Sequence, residues 1–70
     1  MIPLIVAEPG KPQVIKRIGG KEETCRFLEN LGFVVGGVVT VVNEIGGNVI
    51  VNVKESRVAL DKNMASKIMV

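Results

Sequence analysis

Residues 38–53, VVTVVNEIGGNVIVNV, decide the fold of this chain. β-Branched residues form two runs, and in the second run Val49, Val51 and Val53 alternate onto one face, as in a half-buried strand. Residues 43–47, NEIGG, separate the runs and end in a glycine pair that suits a tight turn. The stretch therefore predicts a β-hairpin with strands at residues 38–42 and 48–53.

Short strands are also predicted on both sides of this hairpin. They occupy residues 13–18, which end at a glycine pair, residues 57–60, which follow a turn at 54–56, and residues 67–70. Asp61 is placed to cap a short helical turn that extends through Met64 and Ala65. Because closure removes exposed strand edges, so many short strands predict a strongly bent sheet that closes on itself.

One helix is predicted before the hairpin, at residues 21–31. Its apolar stripe follows the spacing i, i+3, i+4 and i+7 and consists of Thr24, Phe27, Leu28 and Leu31. Charged residues lie on the opposite face, namely Glu22, Glu23, Arg26 and Glu29. Two acidic residues in the first turn suit the positive end of the helix dipole, and Gly32 suits a left-handed C-terminal cap.

The composition indicates one small domain, residues 1–70, with a thin core of Val, Ile and Leu, because the chain has two Phe and neither Trp nor Tyr. A single cysteine, Cys25, favours a reducing compartment, and we expect a cytoplasmic protein. The apolar residues 1–7 lack the basic start of a signal peptide, and no apolar run is long enough to span a membrane. A net charge of +2 without charge blocks argues against strong attraction to nucleic acid.

Residues 28–36, LENLGFVVG, have the pattern Leu-x-x-Leu-Gly-Phe-x-x-Gly across the predicted helix end. This pattern resembles the Leu-x-x-Leu-Gly-(Leu/Met/Phe)-x-x-Gly signature of the ferrous-iron transport protein A (FeoA) family. The early Pro9-Gly10, the glycine pair before the helix and the C-terminal pattern that runs from Val58-Ala59-Leu60 to Val70 also match. The sequence departs from the family at Val35, where the family commonly has proline, and near Arg26, where it often has a run of basic residues.

The resemblance implies a small all-β domain, an SH3-like β-barrel of five or six short strands with one helix between the first strand and the central hairpin. It also implies an accessory role in ferrous-iron uptake through contact with the cytoplasmic GTPase domain of the membrane transporter FeoB, which would place the domain peripheral to the inner membrane. A similar domain occurs in iron-dependent repressors of the diphtheria-toxin repressor type, so the fold alone leaves the function open. The absence of DNA-binding helices here favours transport.

Residues 33–35 are the best candidates for a protein contact, since three apolar residues in a loop are hard to bury in a thin core. The predicted docking surface comprises Arg26, Leu31, Phe33, Val34 and Val35. An alternative role for the loop, which we weigh equally, is to plug the open end of the barrel. Either way, the expected function is binding and not catalysis.

Metal and catalytic chemistry have few candidate residues. The chain has no histidine to activate Cys25, whose expected role is that of a small, partly buried helix residue. Glu22, Glu23 and Cys25 are weak candidates for a site holding Fe(II) or another divalent transition metal, but two glutamates at a helix start are better explained by solvation and the dipole. Metal binding would be weak or shared between chains.

Three functional hypotheses follow. The leading one is a non-enzymatic accessory that docks on the GTPase domain of a ferrous-iron transporter. The second is a metal-responsive regulatory module that signals occupancy of a divalent metal through dimerisation. The third, an RNA-binding barrel using basic residues such as Arg17 and Arg57, lacks aromatic platforms on which bases could stack. A homodimer formed through strand edges is a further expectation.

Overall fold

The computed structural model describes residues 1–70. Its strands are β1 (Gln13–Val14), β2 (Arg17–Ile18), β3 (Val38–Ile45), β4 (Asn48–Val53), β5 (Ser56–Asp61) and β6 (Ile68–Met69). Its helices are α1 (Glu22–Asn30) and α2 (Lys62–Ala65), and a 3₁₀ turn (Leu4–Val6) precedes the first strand. Neither helix has the length and hydropathy that a membrane-spanning helix requires.

The predicted hairpin is the centre of a four-stranded antiparallel sheet with the order β1-β3-β4-β5. Val41 pairs with Val51, and the register then shifts by one residue between Val41 and Asn43. The turn is shorter than predicted, because Gly46 and Gly47 both have positive φ and close a two-residue connection. Residues 43–45, expected in the turn, therefore extend β3.

The strand predicted at residues 13–18 is split between two sheets. β1 pairs with β3, whereas β2 pairs with β6 in a two-stranded sheet. The partner changes between Ile15, whose N–H donates to Gly37 at 2.8 Å, and Lys16, whose N–H donates to Met69 at 2.8 Å. This change of partner joins the sheets into the expected small SH3-like barrel. The prediction that closure removes the exposed edges was wrong for β5, which ends its sheet without a second neighbour.

The N-terminal residues pair with the C-terminal segment, a contact that was not predicted. Ile2 and Val70 exchange two main-chain hydrogen bonds of 2.8 Å each. Leu4, in the 3₁₀ turn, is completely buried in the core. The first residues therefore belong to the domain's structure.

Helix α1 ends in a Schellman motif built on Gly32. The Gly32 N–H donates to the Glu29 carbonyl at 2.9 Å, and the Phe33 N–H donates to the Leu28 carbonyl at 3.0 Å. This geometry requires the left-handed φ of 107° at Gly32, as the glycine position predicted. The motif brings the residue after the glycine back toward the last turn, and both Leu28 and Phe33 are fully buried.

The predicted apolar stripe of α1 was wrong at Phe27. This residue is 49% exposed, while Leu28 is buried and Leu31 packs partly buried against the core. Phe33, which was expected either to contact a partner or to plug the open end of the barrel, is the aromatic residue of the core. At the other end of the chain the predicted cap is confirmed, since the Asp61 Oδ1 accepts a 2.7 Å hydrogen bond from the Met64 N–H at the start of α2.

Candidate functional site

A cleft of roughly 310 Å³ lies between the end of β2, one face of α1 and the loop that follows α1. Five of its six lining side chains are hydrophobic, and Glu29 supplies the charged one. The lining residues are Ile18, Cys25, Glu29, Phe33, Val34 and Val35. The cleft lies at the small end of the roughly 300–1,000 Å³ range of ligand pockets.

A tight turn over residues 34–37 shapes one wall of the cleft. The Gly37 N–H donates to the Val34 carbonyl at 2.9 Å, and Gly36 has a φ of 90° whereas Val35 has no positive φ. These features define a type II turn with Val35 at its first corner. The Gly36 N–H also donates to the Ile15 carbonyl at 2.8 Å, which ties the turn to the barrel.

Each residue of this loop has a different exposure. Phe33 is 0% exposed and forms the floor of the cleft, Val34 is half-buried, and Val35 is 65% exposed at the rim. The two interpretations of the loop therefore apply to different residues: Phe33 fills the barrel, while Val35 faces solvent. An apolar rim above a buried aromatic floor can receive an apolar side chain from another molecule.

Cys25 lies in the cleft wall with its thiol directed toward the β2–α1 loop. Its Sγ is 3.5 Å from the Gly19 carbonyl oxygen and 3.7 Å from that of Ile18, both within reach of a weak S–H donor. The residue is half-buried, as expected. It thus links the helix to the loop before it.

The three metal candidates do not come together. Glu22 forms a 2.8 Å ion pair with Arg26 on the exposed face of α1, whereas the thiol of Cys25 points to the preceding loop. No three His, Cys, Asp or Glu side chains lie close enough to share a metal ion. Glu22 and Glu23 are both exposed in the first turn of α1, where their negative charges interact favourably with the positive end of the helix dipole.

The residues predicted for partner binding lie in two environments. Phe33, Val34 and Val35 line the cleft, whereas Arg26 is held by Glu22 and Leu31 packs against the core. Ile18 and Glu29 also line the cleft and were not predicted as site residues. The spacing of Cys25 and Glu29, i and i+4 on a helix, is the signal that could have found Glu29.

The similarity to known proteins extends over the same elements. A sequence model of the FeoA domain family matches residues 2–70. This chain belongs to the FeoA domain family. A curated relative from Methanocaldococcus jannaschii, named as an Fe(2+) transport protein A, is 31% identical over 70 residues, which cover all of this chain and 85% of the relative.

Solved structures of FeoA proteins share the fold. The crystal structure of an iron uptake regulatory protein (FeoA) superposes with a TM-score of 0.88 at 29% identity, covering 99% of this chain and 92% of that one. The solution structure of iron(II) transport protein A from Clostridium thermocellum gives 0.89 at 27% identity, covering 97% and 43% of the two chains. ScaR with bound Zn²⁺, at 17% identity and a TM-score of 0.85 over 97% of this chain and 35% of that one, shows similarity of fold alone.

The segment that carries the FeoA resemblance builds both the helix end and the cleft. Leu28 and Gly32 form the Schellman motif, which buries Phe33 as the floor. Gly36 then permits the turn that presents Val35 at the rim. In this FeoA domain, residues 28–36 therefore position the one cleft of the structure.

Proposed function

We propose that this FeoA protein is a non-enzymatic accessory of ferrous-iron transport that docks through its cleft on the cytoplasmic GTPase domain of an iron transporter. The observation that carries the proposal is an apolar, solvent-open cleft in a chain whose relatives are named for Fe(II) transport. A cytoplasmic location, peripheral to the membrane, follows from such a partner.

The chemistry of the cleft indicates what it would bind. Its volume of roughly 310 Å³ and its apolar lining suit one anchoring apolar side chain of a protein partner. The Glu29 carboxylate beside this lining favours a Lys or Arg next to the anchor. The expected contact on the GTPase domain is therefore an exposed apolar residue with a basic neighbour.

Docking would regulate transport only through a difference in affinity between transporter states. A protein that binds both nucleotide states of the GTPase equally shifts neither, however tightly it binds. We therefore expect the affinity for the GTPase domain to depend on the nucleotide it holds. The nucleotide state that binds this protein more tightly is the one that this protein would stabilise.

The test is a calorimetric titration of the GTPase domain, nucleotide-free or loaded with GDP or a GTP analogue, with this protein. Val35→Asp places a charge on the rim and should weaken binding by at least about tenfold, because the charge would be buried against the partner. Val6→Asp is the matched control, because Val6 is 61% exposed, close to the 65% of Val35, and lies outside the cleft.

Two results would contradict the proposal. One is an absence of binding in every nucleotide state, and the other is equal binding by the wild type and Val35→Asp. A metal-responsive module predicts a different outcome, namely stoichiometric binding of Fe(II), Mn(II) or Zn(II) in an equilibrium titration followed by sedimentation. That result, without GTPase binding, would replace the transport role by regulation.

A further inference from the structure

The outer edge of β5 carries main-chain groups that the fold leaves free. Asp61 pairs with Asn48, and the next residue, Lys62, donates its N–H to the Gly47 carbonyl at 3.2 Å. Since main-chain groups alternate in direction along a strand, Val58 and Leu60 bond to β4. The N–H and C=O groups of residues 57, 59 and 61 therefore point away from the sheet.

Nothing in the fold covers this edge. β5 is the last strand of the four-stranded sheet, and α2, which follows it, turns back to contact β4, β5 and the 3₁₀ turn. Ala65 of α2 is fully buried in the core. A six-residue strand with free main-chain groups is a template for pairing with another strand.

The sequence of β5 is complementary to itself in one antiparallel register. With a two-fold axis at Ala59, Arg57 lies opposite Asp61 of the second copy, and Val58 lies opposite Leu60 of that copy. Arg57, Ala59 and Asp61 are exposed on the outer face, while Val58 and Leu60 face the core. Opposite charges thus meet on one face and apolar residues on the other, and both pairings stabilise a sheet.

The neighbouring two-fold registers lack this complementarity. An axis at Val58 sets Glu55 opposite Asp61, and an axis at Arg57 sets two arginines opposite each other. An axis at Leu60 places Arg57 opposite Asn63, which lies beyond the strand in α2. Like charges directly opposite are destabilising, so the charges select the register centred on Ala59.

We infer that β5 is a homodimerisation edge, on which a second copy of this chain pairs antiparallel about a two-fold axis at Ala59. The pairing joins two four-stranded sheets into one continuous sheet and satisfies the outward main-chain groups of both copies. The Asp61 Oδ1 already caps α2, and Asp61 is accordingly the wrong residue to mutate in a test. Arg57 is the better probe, because its side chain bonds only to Asn52, at 3.3 Å.

The experiment combines sedimentation equilibrium with amide hydrogen exchange by NMR, from micromolar to millimolar protein. The amides of Arg57 and Ala59 should become protected as the dimer forms, whereas those of Val58 and Leu60 should be protected at every concentration. Arg57→Glu exchanges two attractive pairs for two repulsive ones and should raise the dimer dissociation constant about tenfold or more. Lys11→Glu, an equal charge change in an exposed loop, is the control and should leave that constant unchanged.

Ala59→Pro is a second variant, since it removes an N–H that the monomer does not use and should abolish the dimer. If this variant fails to fold, Arg57→Glu and the exchange pattern still decide the question. A protein that stays monomeric at millimolar concentration overturns the inference, as does a dimer whose outward β5 amides remain unprotected. The result is independent of the proposed function, because the experiment contains no transporter and Val35 lies outside β5.

Discussion

Phe33→Ala should destabilise the fold by about 3–5 kcal/mol, whereas Phe27→Ala should cost less than about 1 kcal/mol. The two variants remove the same ring, but Phe33 is 0% exposed in the core and Phe27 is 49% exposed on α1. At about 0.05–0.15 kcal/mol per residue, a domain of 70 residues has a total stability of about 3.5–10.5 kcal/mol. Loss of the Phe33 ring would therefore remove more than a quarter of it.

Urea denaturation followed by far-ultraviolet circular dichroism measures both free energies of unfolding, since the chain has no Trp or Tyr to report by fluorescence. The two variants form a matched pair because each removes one phenylalanine ring, and Phe27 and Phe33 are the only aromatic residues of the chain. Equal costs for the two variants, or a cost below about 1 kcal/mol for Phe33→Ala, would refute the assignment of Phe33 to the core and of Phe27 to the surface. Phe33→Ala is accordingly unsuitable as a probe of docking, because it would weaken binding by unfolding the domain.

Three further substitutions test the turns. Glu55→Gly should raise the free energy of unfolding by about 1 kcal/mol, because Glu55 has a left-handed φ of 64° in the β4–β5 turn. Gly47→Glu should lower the free energy of unfolding by a similar amount, because Gly47 has a φ of 85° in the β3–β4 turn. Changes of opposite sign in the free energy of unfolding, measured by urea denaturation, support this expectation, and a lower free energy of unfolding in both variants contradicts it. Val35→Pro should stabilise by about 0.4–1 kcal/mol, since proline suits the first corner of a type II turn, and a loss of stability would show that the turn is not of this type.

Local patterns in the sequence predicted most of the elements. The alternation of valines along β4 gave its bounds and its buried face correctly, because a half-buried strand repeats every two residues. Gly32 and Asp61 predicted the helix end and the helix start, since their backbone and side-chain preferences act within four residues. The stripe of α1 was ambiguous, because a helix of nine residues has too few turns to separate Phe27 from Leu28.

Features that depend on distant residues were not predictable in this way. The break between Ile15 and Lys16 is set by partners at Gly37 and Met69, far along the chain. The burial of Leu4 likewise depends on strands and helices that form elsewhere in the sequence. The lining side chains of the cleft come from β2, α1 and the following loop, and they converge only because these three elements pack together.

Substitutions at Val35 can separate a structural role of the loop from the proposed binding role. Val35 lies at the first corner of a type II turn, a position that proline suits. Val35→Pro would retain an apolar rim while stiffening the turn, whereas Val35→Asp would retain the turn while charging the rim. If the loop serves only to fill the barrel, both variants should bind the GTPase domain as the wild type does. If it docks, only the aspartate should weaken binding, and the proline should preserve or strengthen it because less entropy is lost on binding.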